Sequence, residues 1–172
     1  MSSKEIKDER LSKQLGDFGE SLVMFILGNM KGCKVALVDH EGADIIATDR
    51  KIEGKRYAIS VKSRWFKTDG YQKGFDESEQ EKLRRFANEF DMIPTIAFVM
   101  IDKEAKYVDI YLVTLDNLDN MANNTSEITS TGLVNTTLRF SNALRNQKVI
   151  QNHDKIDHTR LEISKLNNTL NI

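Results

Sequence analysis

Leu15, Phe18, Leu22, Phe25, Ile26 and Met30 recur at steps of three and four residues. Such spacing lays an apolar stripe along one side of a helix and predicts an amphipathic helix starting near Ser12 or earlier. Gly16 and Gly19 interrupt it, each at a cost of about 1 kcal/mol relative to alanine. The use that offsets this cost is close approach to another element. Gly32 is the expected stop. Beyond it the pattern changes to alternation. Residues 34–38 read as a short strand, 39–42 as a polar turn and 43–48 as a second strand. Residues 49–55, with Gly54, read as a hairpin loop. Over 56–63, Tyr57, Ile59 and Val61 face one way while Ala58, Ser60 and Lys62 face the other. Three such segments predict an antiparallel meander.

Residues 64–75 read as a glycine-containing basic loop, and a second helix opens after Phe75. Asp76 as N-cap with Glu79 three residues on fits a capping box. Leu83, Phe86, Ala87 and Phe90 supply the apolar face of this helix, and Pro94 marks its exit. Residues 95–101 are almost continuously apolar, as for a strand covered on both faces. Residues 107–114 alternate again. A helix between the third and fourth strands permits a parallel, right-handed crossover. The expected fold is α/β, a mixed central β-sheet flanked by α-helices. After Leu118 the chain is rich in Asn, Thr and Ser, with candidate short elements at 132–140 and 161–166. We therefore expect a core over 1–118 and a polar C-terminal extension over 119–172. That extension is an elaboration of the core, a dimer arm or a partly disordered tail.

A length of 172 residues suits one domain. No apolar run reaches the roughly 20 residues that span a bilayer, and the charged N-terminus lacks an apolar signal core. No membrane partner is expected, and a cytoplasmic location is the default. The single cysteine, Cys33, excludes an internal disulfide and a cysteine-based zinc site. It reads as a small buried filler beside Val35. A net charge of −1 does not announce a nucleic-acid binder. Its distribution is uneven, however: residues 50–73 hold eight basic side chains against two acidic ones. Such a stripe can hold phosphates, although a solvated hairpin and loop would look the same. His153, Asp154, Asp157 and His158 meet no zinc spacing and read as surface.

Asp44 opens the second strand, Ser60 and Lys62 point together from the third, and Glu20 follows Gly19 on the helix. Two carboxylates can offer the hard oxygen ligands that a divalent cation needs. Such a cation neutralises charge on a scissile phosphate and activates water, and a nearby lysine stabilises the developing charge. The plainer readings are a surface glutamate, a turn aspartate and a solvated strand lysine. Trp65 either stacks on a base or anchors its loop.

Three pieces of the chain together resemble the PD-(D/E)XK nuclease superfamily. They are Gly16-Asp17-Phe18-Gly19-Glu20, Gly42-Ala43-Asp44-Ile45-Ile46-Ala47 and Ile59-Ser60-Val61-Lys62-Ser63-Arg64. Archaeal-type Holliday junction resolvases and restriction-type nucleases look most similar, and the resemblance covers residues 12–115. It implies a restriction-endonuclease-like fold and metal-dependent cleavage of DNA, with Mg2+ as the cofactor and Mn2+ able to substitute. Asp44 would be the main metal ligand, Glu20 would complete the site, and Val61 would offer its backbone carbonyl. Lys62 would be the catalytic lysine. Arg64 and Lys67 would grip phosphates, with Ser63, Lys73 and Trp65 alongside. A homodimer is expected, because cutting two strands needs two sites and two-fold dimers are the commonest assembly.

The sequence departs from the superfamily pattern in two places. Ala43 stands where proline is common, and Ser60 stands where Glu, Asp or Gln is wanted. A neutral hydroxyl is a poor magnesium ligand beside a carboxylate. Some restriction enzymes of this superfamily have serine there and supply the acid from the following helix. Asp76, Glu77 and Glu79 are the candidates here, and Glu79 shares the inward face of Leu83 and Phe86. The other readings are a catalytically inactive nucleic-acid-binding module and a structural or interaction protein whose Asn-rich tail recruits a partner.

Overall fold

A computed structural model of the chain describes residues 9–65, 75, 77–102, 104–124 and 156–163. The first helix, α1, spans Glu9–Phe25 and runs on into a π-helical turn, Ile26–Met30. That turn is closed by the Lys31 N–H donating to Ile26 O at 3.0 Å, one residue further back than in an α-helix. The wider turn falls where Gly28 and Asn29 weaken the helical ladder. The side facing the sheet also differs from the apolar stripe expected. Val23, Ile26 and Leu27 are buried, Leu15 and Leu22 only partly so, and Phe18, Phe25 and Met30 are exposed.

Six strands follow the order β1-β2-β3-β4-β5-β6 in one sheet. They are β1 (Cys33–His40), β2 (Ala43–Asp49), β3 (Arg56–Trp65), β4 (Ile93–Ile101), β5 (Tyr107–Thr114) and β6 (Asp157–Glu162). All neighbours are antiparallel except β3 and β4, which are parallel. Their crossover contains helix α2, Glu77–Glu89. The mixed α/β sheet with flanking helices is therefore as expected. α1 lies on one face over Ile45, Ile59, Val99 and Ile110. On the other face, α2 packs Leu83 and Phe86 over Ala58, Ile96 and Tyr111. Each large side chain buried in this way contributes about 1.5–3 kcal/mol.

Several boundaries moved. β3 runs on through Arg64 and Trp65, expected as loop, because β4 pairs with it from Tyr57↔Ile93 to Trp65↔Ile101. Pro94 is the second residue of β4 rather than the exit from the helix. α2 ends before Phe90, which is left exposed with its ring 4.9 Å from that of Phe86. Asp76 and the candidate segment 132–140 lie outside the described residues.

A third helix, α3 (Leu115–Asn124), was not expected. Thr114 caps it, its hydroxyl accepting from the Asn117 N–H at 3.3 Å. Arg84 of α2 pairs with Asp116 and Asp119 and so ties the two helices together. β6 begins at Asp157, four residues earlier than the element expected at 161–166, and it pairs with β5. Lys31, between the end of the helix and β1, reaches Asp157 at the start of β6 at 2.7 Å. Among the described residues no helix is long and apolar enough to cross a membrane.

Candidate functional site

Asp44 sits where the β2–β3 ladder stops. The last registered pair there is Ile45↔Ile59, and Asp44 comes next, opposite Ser60. Its Oδ2 accepts the Val61 N–H at 2.6 Å and the Ser60 hydroxyl at 3.3 Å. The carboxylate thus takes the place of a strand acceptor. The N–H and C=O of one strand residue point to the same side, so the Val61 carbonyl also faces the open space beyond β2. Gly42 holds the turn before Asp44 in place. Its φ is +110°, and a Cβ there would stand 2.6 Å from Lys82 O. The turn therefore meets α2 backbone to backbone, a contact that a side chain would prevent.

Glu20 is half-buried on α1. Burial pushes its carboxyl above the usual range, and the charges of Asp44 and Asp17 push it further. Asp44, Glu20 and the Val61 carbonyl are all oxygen donors and suit Mg2+ or Mn2+. Among the described residues no three His, Cys, Asp or Glu side chains gather at one point. A cation here would complete its shell with the carbonyl and water, and magnesium commonly retains several waters.

Lys62 projects to the same face as Ser60. Its Nζ donates to Glu79 Oε1 at 2.8 Å and lies 5.3 Å from the centre of the Phe75 ring. Glu79 does face inward, as expected, but the partner it meets is Lys62, while the Ser60 hydroxyl is engaged with Asp44. Arg64 donates from Nη1 to the Ser63 carbonyl at 2.7 Å. Ser63 itself requires a correction. Strand alternation turns it to the α1 face, where it is 4 % exposed, so its side chain is not on the open side with Lys62. Trp65 has the same parity as Ser63 but is 47 % exposed at the end of β3. Lys67 and Lys73 lie outside the described residues.

A second polar cluster escaped the sequence reading. Asp109 on β5 is 2 % exposed. Its Oδ1 accepts from Arg160 Nε at 2.7 Å and contacts His158 Nε2 at 2.8 Å, and its Oδ2 accepts from Arg160 Nη2 at 2.6 Å. Hydrogen bonding to Asp109, ahead of the opposing effect of burial, raises the Arg160 guanidinium above its ordinary value. His158 stacks on Tyr111, with ring centres 4.7 Å apart. It is therefore an inward group rather than the surface residue expected, because its partner on β5 demands it. Asp157 does lie at the surface, paired with Lys31. The signal available beforehand was a lone carboxylate, Asp109, in an otherwise apolar alternating strand.

No protein-family model matches the sequence, and no curated protein matches it. Among solved structures the chain is similar to Hjc of Archaeoglobus fulgidus, a Holliday junction resolvase from an archaeal hyperthermophile. The two share 19% identity over 59% of this chain and 73% of that one, with a TM-score of 0.40. At that score the likeness decides nothing about the chemistry, and the α/β fold stands on the chain's own strand order.

Proposed function

We propose that this chain is a metal-dependent endonuclease that cleaves DNA phosphodiesters on a restriction-endonuclease-like scaffold. The observation that carries this reading is the Asp44 carboxylate at the end of the β2–β3 ladder. One of its oxygens is fixed by Val61 and Ser60, the Val61 carbonyl is turned the same way, and its charge is felt by a second carboxylate, Glu20. Asp44, Glu20 and the Val61 carbonyl would hold Mg2+, or Mn2+ in its place. When bound, such a cation neutralises charge on a phosphate and lowers the pKa of water.

The chain's own groups do the rest. Val61 N–H and Ser60 fix the Asp44 carboxylate and leave its Oδ1 free of hydrogen bonds among the described residues. Glu79 and the Phe75 ring hold the Lys62 ammonium at the same face of β3, where it can meet a phosphate oxygen and stabilise its growing charge. Arg64, with Lys67 and Lys73 from the following basic segment, would grip flanking phosphates, and Trp65 offers an exposed ring for stacking. Two copies related by a two-fold axis, acting in the cytoplasm, would present two sites to two strands.

Specific observations favour a second reading. Ser60 brings no charge to the site, and Glu79 is paired with Lys62. Both fit a catalytically inactive nucleic-acid-binding module of the same fold. A manganese-supported nuclease assay on duplex, branched and single-stranded DNA decides between them. Cleavage by the unaltered protein, with losses of about 100-fold or more in Asp44→Ala and Lys62→Ala, supports the enzyme. Equal activity in all three proteins overturns the site. No manganese binding by calorimetry, with DNA affinity that still falls with salt, supports the inactive module.

A further inference from the structure

We infer that Gly19 and Ser63 form the positioning contact that sets Glu20 opposite Asp44. Gly19 immediately precedes Glu20 on α1, and Ser63 immediately follows Lys62 on β3. A Cβ built on Gly19 would fall 1.8 Å from Ser63 Oγ, 3.1 Å from Ser63 Cβ and 3.6 Å from Val61 Cγ1. No heavy atoms approach to 1.8 Å without a bond, so a side chain at position 19 turns the Ser63 hydroxyl away and still leaves Ser63 Cβ at 3.1 Å, a contact that α1 and β3 relieve by parting a few tenths of an ångström. The neighbouring helix glycines differ. Gly16 meets nothing within 4 Å, and Gly28 only Val35 Cγ2 at 3.7 Å. Of these three, the helix tolerates a flexible residue for the sake of contact only at Gly19, one residue before the proposed ligand.

The other half of the contact is equally particular. Ser63 is buried, and among the described residues its Oγ has no hydrogen-bond partner. Burying a hydroxyl in that state costs about 1–3 kcal/mol, so Ser63 is not there for the strength of its own bonds. It is small enough to fit beneath Gly19, and a bulkier core residue would lift the helix. β3 thus carries both sides of the site. Ser60 and Lys62 face α2, while Ser63, on the opposite face, sets the height of α1 and with it the reach of Glu20. Ser63 accordingly acts through the helix and not on nucleic acid.

This inference rests on Glu20 and Asp44 being metal ligands, and the test separates the two claims. Full-length protein is prepared unaltered and as Gly19→Ala, Ser63→Gly and the double variant. Mn2+ affinity is measured by calorimetry. In parallel, nitroxide labels on Glu20→Cys and Asp44→Cys, in a Cys33→Ala background, report their separation by dipolar broadening without metal. Gly19→Ala should weaken Mn2+ binding about 10- to 100-fold, the range for residues that orient ligands, and lengthen the label distance. The double variant, from which both Ser63 atoms are gone, should restore both. If Gly19→Ala does not fold, recovery of folding and of both signals in the double variant makes the same case. Unchanged label distance in folded Gly19→Ala overturns the positioning role, as does failure of the double variant to recover it. If the unaltered protein binds no Mn2+, the metal site falls while the label distances still decide the contact.

Discussion

Asp44 and Asp109 are aspartates on strands of one sheet, and alternation turns both toward the α2 side, yet their surroundings are opposite. Asp109 is enclosed, and both of its oxygens are engaged by Arg160, with His158 on one of them. Its charge is answered from within the chain. Among the described residues Asp44 is engaged through one oxygen, by two neutral donors, and its charge acts on another carboxylate, Glu20. A carboxylate matched with a cation from its own chain is structural. On the reading proposed above, Asp44 is matched by a cation from outside it.

The largest effect that can break this comparison is on stability. Asp109→Ala removes a buried carboxylate together with its two hydrogen bonds from Arg160 and its contact with His158. Each hydrogen bond to a charged group contributes about 1.5–3 kcal/mol. Urea unfolding should show this loss with or without manganese; a loss below about 1 kcal/mol would remove Asp109 from the structural side.

Asp44→Asn should behave differently. With manganese at about 100 times its Kd, the unaltered protein gains about 2.7 kcal/mol of stability by linkage. The variant should gain almost none, while Asp109→Ala keeps the gain if it still folds. A melting series with and without manganese reads this directly, and an equal gain in Asp44→Asn would end the contrast.

Glu20 gives a pH test. Its folded carboxyl is raised above the ordinary value of 4.5. Its favourable contribution is therefore complete below the unfolded pKa and lost as pH rises through the folded one. In chelator, Glu20→Gln should be more stable than the unaltered protein at pH 7, with the difference gone by about pH 4, and saturating manganese should reverse the order at pH 7. Parallel stability curves for the two proteins across this range would show that Asp44 and Glu20 do not sense each other.

The smallest expected effect is that of Ser60→Ala. It removes a neutral hydrogen bond of 3.3 Å and should cost about 1 kcal/mol or less. Introducing a carboxylate there is the sharper version. Ser60→Glu should tighten manganese binding, because a charged oxygen is the better ligand for a hard cation. Weaker binding would mean that Asp44 needs the serine more than the metal needs an acid.

Strand alternation is local, and so Asp44, Ser60 and Lys62 could be placed on one face before any coordinates. The cost of Gly19 within a helix likewise announced a close contact, though not Ser63 as its other half. What was hidden depends on partners distant in the chain. Lys62 and Glu79 meet across 17 positions, and Asp109 and Arg160 across 51. Alternation predicts a direction, not the element that will stand there. β3 outran its expected end because β4 offered a partner along its full length, and the buried side of α1, at Gly19, Val23, Ile26 and Leu27, keeps three- and four-residue steps but lies beside the stripe read through Leu15, Phe18 and Leu22. α3 did leave a trace, with Thr114 as a cap and Leu115 and Leu118 three apart, but its polar remainder resembles a loop.

The turn at Gly42 restricts how such a protein can be altered. Because it lies directly against the α2 backbone at Lys82, residues cannot be inserted there without parting Asp44 from the helix that carries Glu79. Inserted length is better placed at a connection such as the one between β2 and β3, where Gly54 has no neighbour within 4 Å among the described residues, with the 41–43 junction left untouched.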